Sequence, residues 1–354
     1  MNKVALLHAY SSENLGDGLL VDAALSHIRH SVGPDVEVTM FASRPESFVD
    51  RDCQLVSSKP TSLKNLRAYL LAMWDMRKAD LIVGVGGGYL RFGSLSEAAR
   101  TALVHGPQLL AASLSGGKAV YLPQSIGPLP PGGRAILRRI IGRIRTVYVR
   151  DDRSLDELRN LGNVRRAPDM AIWADLDLSD RSAGQQIDTR VILSTRYIRG
   201  RLPAPVKQLP RLLGDFDGYV QSTVGQNNDV DAVRDIGPRR VISAEQLLDP
   251  EGPRRVVVAM RLHAALMAIN AGHYVIHLAY ERKGFGAFGD LGLSEYVHRT
   301  SHFDPVLVAA QARTLLESAD ARKEYDRLVR EHRSASVVEG GHVRHETAQI
   351  AGVA

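Results

Sequence analysis

The sequence has a single cysteine, few aromatic residues and no long apolar run, and each shortage excludes a class of protein. Cys53 alone can form neither an internal disulfide nor a cysteine-rich metal site, which fits a reducing compartment. Aromatic residues make up 6% of the chain and are dispersed, which argues against a nucleic-acid-binding face built on aromatic stacking. No window approaches the roughly 18 consecutive apolar residues of a membrane span, and the apolar run near the N-terminus is too short for a signal peptide. We therefore expect a cytoplasmic protein without a transmembrane segment.

Neither basic nor acidic residues are in large excess. The chain has 45 basic and 39 acidic residues, a net charge of +6 that is spread along its length, so the balance does not predict a nucleic-acid partner. The densest basic cluster, from Arg134 to Arg145, alternates with isoleucine and leucine at helical spacing, which is typical of a solvated helix face. An anionic small molecule or an anionic glycan intermediate would account for a basic surface equally well.

The apolar runs that are present predict two α/β domains. A length of 354 residues suggests two domains of about 150 to 180 residues each. Runs of strand length alternate with amphipathic stretches, which is typical of parallel β-α units. We predict two Rossmann-like domains, residues 1–178 and 188–330, that face each other across a cleft, with a polar linker over 175–189 and a C-terminal tail, 331–354, that is helical and then polar. Ligands in such sheets bind beyond the carboxyl ends of the strands.

Three basic or titratable side chains stand where two of these strands are expected to end. In "RRVVVAMRLHAALMAINAG", Arg261 and His263 occupy the predicted strand-to-helix turn, and Lys283 follows the next strand. A helix N-terminus beside such cations favours a phosphate or a carboxylate. A bound anion would stabilise the protonated form of His263, which could then donate a proton. His273 and His277 lie in apolar segments, and we expect them to be structural.

Other polar residues follow predicted strands in the first half. Arg150 ends an apolar strand, and the "DDRS" segment after it predicts a helix whose start is capped by Asp151, Asp152 or Ser154. In the first loop, Asp17 either caps the following helix or contacts a ligand.

Two glycine-containing segments end strands in the same half. "GVGGGYLRFG" has the spacing of a dinucleotide-binding fingerprint but not its context, so Gly86, Gly87 and Gly88 are better interpreted as places of close backbone approach. In "PQSIGP", Gln124 and Ser125 offer hydrogen bonds at a strand-to-loop corner.

Taken in order, seven segments of the chain resemble the polysaccharide pyruvyl transferases, the enzymes that place a pyruvate ketal on cell-wall and capsular sugars. The segments are "NLGDGLL", "GVGGGYL", "PQSIGP", "YVRDDRSLDELRNLG", "APDMAIWAD", "RLHAALMAINAGHYVI" and "YERKGFGAF". The sequence departs from the family pattern at Glu13, where glycine is usual, and at Pro123, which replaces the glycine before "QSIGP".

The resemblance implies a fold like that of the GT-B glycosyltransferases, with an acceptor side in the N-terminal domain and a donor side in the C-terminal domain. It implies phosphoenolpyruvate as the donor substrate, with no further cofactor and no metal, and a glycan or lipid-linked sugar as the acceptor. Arg150, Arg196, Arg261 and Lys283 would bind the donor, and His263 would be the general acid. The acceptor or cleft loops would contain Asn14, Asp17, Gly86, Gly87, Gly88, Gln124 and Ser125.

Two rival interpretations stay open at this stage. A GT-B glycosyltransferase that uses a nucleotide-sugar donor would share the fold and the cleft. A binding protein or an oxidoreductase belongs to a different class. The sequence also leaves open the acceptor sugar, the oligomeric state, including a homo-oligomer, and peripheral docking at the inner face of the membrane.

Overall fold

A computed structural model describes residues 2–129, 133–173, 187–223, 225 and 228–353. The chain divides into two compact units. Unit 1 comprises Met1–Ser12, Asp17–Met170 and Val338–Ala354, and unit 2 comprises Glu13–Gly16 and Ala171–Val337. Most of the linker predicted over 175–189 lies outside the described residues.

Unit 1 is built on a parallel sheet. Its strands are β1 (Lys3–Ala9), β2 (Glu37–Ala42), β3 (Gln54–Ser57), β4 (Leu81–Gly84), β5 (Gly87–Leu90), β6 (Ala119–Ile126), β7 (Thr146–Val149) and β8 (Val164–Arg166). The order is β3-β2-β1-β4-β6-β7-β8, and β5 pairs with β6 beside this path. Strands β1, β4 and β7 are almost wholly buried. Because helices cover both faces of the sheet, each of these strands can be a continuous apolar run.

The helices of unit 1 follow the strands in a β-α alternation. They are α1 (Leu15–Val32), α2 (Leu63–Asp75), α3 (Leu95–Arg100), α4 (Gly106–Ser113), α5 (Arg134–Ile141) and α6 (Asp152–Glu157). A single apolar cluster joins Tyr69 of α2, Leu109 of α4 and Ile141 of α5 to side chains of the sheet such as Tyr121 and Val147. These three helices therefore cover the same face of the sheet.

Unit 2 has a second parallel sheet. Its strands are β9 (Val191–Ser194), β10 (Phe216–Tyr219), β11 (Val241–Ile242), β12 (Val256–Ala259), β13 (Tyr274–Ala279) and β14 (Val297–Arg299), in the order β11-β10-β9-β12-β13-β14. Its helices are α7 (Leu209–Leu213), α8 (Val230–Arg234), α9 (Ala244–Leu248), α10 (Leu262–Asn270), α11 (Arg282–Asp290) and α12 (Pro305–Glu317). The last helix, α13 (Ala319–Ala351), begins in unit 2 and ends in unit 1. Two parallel α/β domains, the predicted fold class, are confirmed.

The structure differs from the sequence prediction in several elements. "APDMAIW", an apolar segment at the end of the first half, contains a short 3-10 helix at Met170–Ile172. The strands β3, β5 and β8 have three or four residues each and were not predicted, because such short segments carry too little periodicity. Residues 331–351, predicted as a tail that is helical and then polar, belong to one helix that continues to Ala351.

Candidate functional site

The basic residues predicted to bind a ligand in unit 2 lie at the carboxyl edge of its sheet. The strand β12 lies between β9 and β13, and all three run parallel. Arg196 follows β9, Arg261 and His263 follow β12, and Lys283 follows β13. Because parallel strands end at the same edge, the four side chains belong to one region of unit 2, as the sequence predicted for three of them.

Arg261 is held by a carboxylate that the sequence analysis did not identify. Its Nε and Nη2 donate to the two oxygens of Asp229, each at 2.7 Å, which is a bidentate pair. Both residues are buried. Burial raises the pKa of Asp229, while hydrogen bonds and charge from Arg261, with a smaller effect of Arg196, oppose the rise. Asp229 is thus the buried counter-ion of Arg261.

His263 lies in the first turn of α10 and is partly exposed. It packs on Gly16, the glycine of the "NLGD" segment: a Cβ on Gly16 would lie 2.6 Å from the Cβ of His263 and 2.7 Å from its Cγ. Glycine is therefore required at residue 16 for the imidazole to occupy its position. The same segment is anchored in unit 2 by a bridge between Asn14 and Ser222.

The start of α1 corrects the expectation for Asp17. The helix begins at Leu15, so Asp17 lies inside the first turn, where a carboxylate interacts favourably with the helix dipole. Asn14 stands directly before the helix, and its Oδ1 accepts a hydrogen bond from the backbone N–H of Gly16 at 3.3 Å. The residue at the capping position is thus Asn14, and capping by Asp17 was a wrong prediction.

Lys283 lies just beyond the carboxyl end of β13, the next strand in the sheet. Its Nζ lies 3.0 Å from a carboxylate oxygen of Glu281, the residue before α11. His277, on β13, donates from Nδ1 to the carbonyl oxygen of Ala259 at 2.8 Å. Burial lowers the pKa of His277 to about 4, and the nearby charge of Lys283 acts in the same direction. His277 is therefore a neutral, structural histidine, as predicted.

His273 is structural as well. It is buried, accepts the backbone N–H of Arg255 at Nδ1 and donates from Nε2 to the carbonyl oxygen of Leu247.

Arg196 has a different environment from the other cations. Its Nη1 donates to the hydroxyl of Tyr280 at 2.8 Å, and its guanidinium carbon lies 4.9 Å from the centre of the same ring. Within the described ranges it makes no ion pair at 4.0 Å or less, whereas Arg150, Arg261 and Lys283 each make one. Arg196 thus has the guanidinium whose charge is least compensated among the four.

Arg150 belongs to unit 1 and is enclosed there. Its side chain is 1% exposed and pairs through Nη1 with Asp169, which is equally buried. Its Nε donates to the hydroxyl of Ser125 at 3.2 Å. Its Nη2 has no hydrogen-bond partner within the described part of the chain and would lie 3.5 Å from a Cβ on Gly88.

The glycine-rich segment is shaped by close packing against β6. A Cβ on Gly84 would lie 2.6 Å from the ring of Tyr121, and one on Gly86 would lie 2.8 Å from the carbonyl oxygen of Pro123. Gly87 has φ +144° and begins β5. The segment continues as a strand and not as a helix, so it lacks the helix N-terminus of a dinucleotide-binding fingerprint.

The side chain of Gln124 is a further polar group at the same strand. Gln124 is fully buried, and neither atom of its amide has a hydrogen-bond partner among the residues that the structure covers. Such a group is costly unless a ligand or water satisfies it.

A buried histidine pair near the carboxyl end of β1 is a feature that the sequence analysis missed. The Nδ1 atoms of His8 and His105 form a hydrogen bond with a distance of 3.1 Å. The Nε2 atom of His8 lies 2.8 Å from the hydroxyl oxygen of Tyr121. Its ring stacks on Tyr89 with a centroid distance of 4.4 Å. Burial lowers the pKa of both histidines, that of His105 to about 4, so the pair is neutral near neutral pH. The residues are dispersed along the sequence, and no local pattern indicates them.

Two features are absent from the described ranges: a metal site built from clustered side chains and a membrane-spanning helix. No group of three or more His, Cys, Asp or Glu side chains is arranged to hold a metal ion. No helix there is long and apolar enough to cross a membrane.

The structure also shows what the prediction did not contain. Asp169, Asp229 and Glu281 each compensate a cation of the predicted donor site, and Gly16 forms the wall against His263. The signal for Asp169 and Gly16 was present in "APDMAIW" and "NLGDG", but the contacts that they make required the fold.

Comparisons with known proteins agree with this architecture. UDP-GlcNAc 2-epimerase from Neisseria meningitidis bound to UDP-GlcNAc aligns with a TM-score of 0.56 at 11% identity, over 98% of this chain and 100% of that one. UGT2 from Phytolacca americana, complexed with UDP-2fluoro-glucose and pterostilbene, aligns with a TM-score of 0.54 at 11% identity, over 99% and 100% of the chains. MnaA from S. aureus with UDP gives 0.55 at 9% identity, over 100% and 98%. At these identities the likeness shows the fold alone, which is the GT-B fold of epimerases and glycosyltransferases.

No curated protein is significantly similar to the chain in sequence. The family comparison, in contrast, matches polysaccharide pyruvyl transferase across residues 14–282. That span contains the segment from Asn14 to Gly16 as well as the strand ends that carry Arg150, Arg196, Arg261 and His263, and it ends one residue before Lys283. The chain belongs to the polysaccharide pyruvyl transferase family.

Proposed function

We propose that the protein transfers pyruvate from phosphoenolpyruvate to two hydroxyls of a sugar in a cell-surface polysaccharide or its precursor, and releases phosphate. The observation that supports this most is the carboxyl edge of the second sheet, where Arg196, Arg261 and Lys283 accompany His263. A small dianion with a phosphate and a carboxylate suits such a set of donors.

Donor binding is assigned first to Arg196 and to the N-terminus of α10. Arg196 makes no ion pair within the described ranges, so its charge is available to an incoming anion. The backbone N–H groups at the start of α10 add donors and the positive end of a helix dipole. Arg261 and Lys283 contribute charge that is partly compensated by Asp229 and Glu281. We infer that these carboxylates hold the cations in position while the site is empty.

His263 is assigned as the general acid. It protonates C3 of the enol, which makes C2 an oxocarbenium-like electrophile that one sugar hydroxyl attacks. The C2–O bond to phosphate breaks, phosphate leaves, and the second hydroxyl adds to C2 to close the ketal. The two hydroxyls lose two protons in total, of which one replaces the proton delivered to C3 and the other ends on phosphate. The arginines and the lysine stabilise the charge that builds on the leaving phosphate.

The remaining assignments stay predictions. Arg150 is compensated by Asp169 in unit 1, and its role toward the donor stays a prediction. Asp17, Gly86, Gly87, Gly88, Gln124 and Ser125 stay assigned to the acceptor, together with Asn14. The unsatisfied amide of Gln124 supports its inclusion, because a sugar hydroxyl could both donate to it and accept from it.

The decisive experiment separates chemistry from binding. We expect His263→Ala to lower pyruvyl transfer by at least about 10²-fold, while calorimetric titration with phosphoenolpyruvate gives a near-normal Kd. His302→Ala, an exposed histidine of the same unit, is the matched control and should transfer normally. Transfer is measured by phosphate release and by mass spectrometry of the glycan, which gains one pyruvate ketal. Near-normal turnover by His263→Ala would remove it as the acid.

The donor assignment has its own test. Arg196→Ala should raise the Kd for phosphoenolpyruvate about tenfold or more, since a hydrogen bond to a charged group is lost. Arg201→Ala, an exposed arginine nearby, should leave the Kd unchanged. Binding of a UDP-sugar without any binding of phosphoenolpyruvate would instead favour a glycosyltransferase with a nucleotide-sugar donor.

A further inference from the structure

One face of unit 1 has exposed apolar side chains with basic residues around them. Of the seventeen large apolar side chains that are exposed in the described part of the chain, ten lie on α2, on α5 and on the segment from α3 to Leu114, the residue after α4. They are Leu63, Leu66, Leu70, Leu71, Trp74, Leu95, Leu103, Leu110, Leu114 and Ile136. Scattered apolar residues need no explanation, but so many on neighbouring elements mark an interaction site.

The spacing on α2 shows that this exposure is organised. Leu63, Leu66, Leu70 and Trp74 recur at intervals of three and four residues, which places them along one side of the helix. They are from 41% to 86% exposed, whereas Tyr69, on another side of the helix, is buried against the sheet. The stripe is therefore not part of the buried core of unit 1.

A second stripe continues the surface on the next segment. Leu103, Pro107, Leu110 and Leu114 are exposed at intervals of three and four residues, while Leu109 and Ala112 are buried. The connections β3 to β4, β4 to β6 and β6 to β7 advance across the sheet in one direction, so right-handed crossovers place α2, α4 and α5 in one layer. The shared apolar cluster beneath these helices agrees with that placement.

The positive charge around this surface indicates the kind of partner that would bind there. Between residues 63 and 78 the chain has Lys64, Arg67, Arg77 and Lys78 against one acidic residue, Asp75. The segment from 134 to 145 has five arginines and no acidic residue. Arg77 also lies over the ring of Trp74 at 4.5 Å, an arrangement of cation and indole that suits a boundary between apolar and charged surroundings.

We propose that this face of α2, α4 and α5 docks on a lipid bilayer with anionic headgroups. Leucine side chains and Trp74 would enter the boundary between headgroups and acyl chains, and the lysines and arginines would contact lipid phosphates. A second copy of the chain fits less well, because a two-fold symmetric contact would bring like charges together. The proposal does not depend on the identity of the donor.

Vesicle flotation tests this proposal with the intact chain and without substrates. The protein should float with vesicles of phosphatidylcholine and phosphatidylglycerol and should bind vesicles of phosphatidylcholine alone much more weakly. The double variant Leu63→Ser, Leu70→Ser should lose about tenfold or more in partitioning, because two exposed leucines no longer enter the lipid. Arg67→Gln should lose about fivefold. The matched control is Val306→Ser, Leu307→Ser, two exposed apolar residues of unit 2.

Tryptophan fluorescence supplies a second measurement of the same face. Of the two tryptophans in the chain, Trp74 is 62% exposed and Trp173 is buried. Anionic vesicles should shift the emission to shorter wavelength in the parent protein and not in Trp74→Phe. The absence of both flotation and shift would overturn the proposal. An oligomer that the Leu63→Ser, Leu70→Ser variant dissolves, without lipid binding, would also overturn it and assign the face to a second copy.

Discussion

At the scale of single residues, three of the four cations assigned to the donor are each paired with a carboxylate. Arg261 is bound to Asp229, Lys283 to Glu281 and Arg150 to Asp169. A buried guanidinium without a counter-ion costs several kcal/mol, so pairing is what allows these arginines to lie inside the protein. On the proposed function, a dianionic donor would compete with these carboxylates for the cations. Arg196, which makes no ion pair among the described residues, is therefore the most informative residue to vary.

The contact between Gly16 and His263 gives a sharp test at this scale. We expect Gly16→Ala to fold but to lower turnover by about 10²-fold, because the added methyl group displaces the imidazole and misplaced groups lose that much. Gly289→Ala, where a Cβ would meet only Ser294 Oγ at 3.9 Å, is the control and should retain full activity. Steady-state kinetics would decide the matter, and unchanged turnover in Gly16→Ala would show that the position of His263 is not critical.

The role of Arg150 can be separated into stability and donor binding. Arg150→Ala removes the guanidinium that is paired with the buried carboxylate of Asp169, and we expect the free energy of unfolding to fall by about 3–5 kcal/mol. Replacing both residues by apolar ones, Arg150→Met with Asp169→Leu, should recover most of the loss. Urea denaturation measures both. If the double variant also binds phosphoenolpyruvate normally, Arg150 does not bind the donor.

At the scale of elements, helix starts follow local chemistry closely. Asp151 occupies the position before α6, and its Oδ1 accepts the backbone N–H and the hydroxyl of Ser154, each at 2.9 Å. Asp151 therefore caps the helix, and the capping predicted from "DDRS" is confirmed for this residue. Ser154 contributes the N–H that is capped and also joins α6 to β6 through its hydroxyl, which accepts the N–H of Ile126.

Removal of that cap should affect stability and not catalysis. We expect Asp151→Ala to lower the free energy of unfolding by about 1–2 kcal/mol, with an unchanged Kd for phosphoenolpyruvate. Asp152→Ala is the neighbouring control: its side chain is 89% exposed, so a loss of less than about 0.5 kcal/mol is expected. Chemical denaturation of both variants measures the difference, and equal losses would contradict the capping role.

At the scale of the whole molecule, buried histidines couple stability to pH. Burial lowers the pKa of His8, His27, His105 and His277 below the ordinary value of 6.5, to about 3 for His27 and about 4 for His105 and His277. Their folded-state pKa values are depressed, so the unfolded chain binds more protons as pH falls from 6.5 toward 4. Stability is therefore fully present above pH 6.5 and decreases below it, by about 1.4 kcal/mol per pH unit for each histidine.

Thermal or urea unfolding at several pH values between about 7 and 5 would measure this slope, since most carboxylates stay ionised there. His27→Gln should make the slope shallower. His342→Gln, which replaces an exposed histidine, should leave the slope unchanged. A stability that does not change over this range would mean that these histidines are accessible to protons in the folded state.

Local patterns determined much of the fold. Continuous apolar runs predicted β1, β4, β7, β9, β12 and β13, because strands covered on both faces need such runs. The placement of Arg261 and His263 at a strand-to-helix turn, and of Lys283 after the next strand, followed from the same patterns. Short edge strands such as β8, with the sequence VRR, escaped prediction because pairing with β7 and not composition creates them.

The sequence by itself determined that the chain builds two parallel α/β domains and which cations end their strands, since both depend on residue types within a few positions of one another. Only the tertiary structure decided that Asp229 holds Arg261, that Asp169 holds Arg150 and that Gly16 gives His263 its space. Residues so far apart along the chain meet through the order in which the strands pair. That order depends on the packing of the whole sheet and leaves no local trace in the sequence.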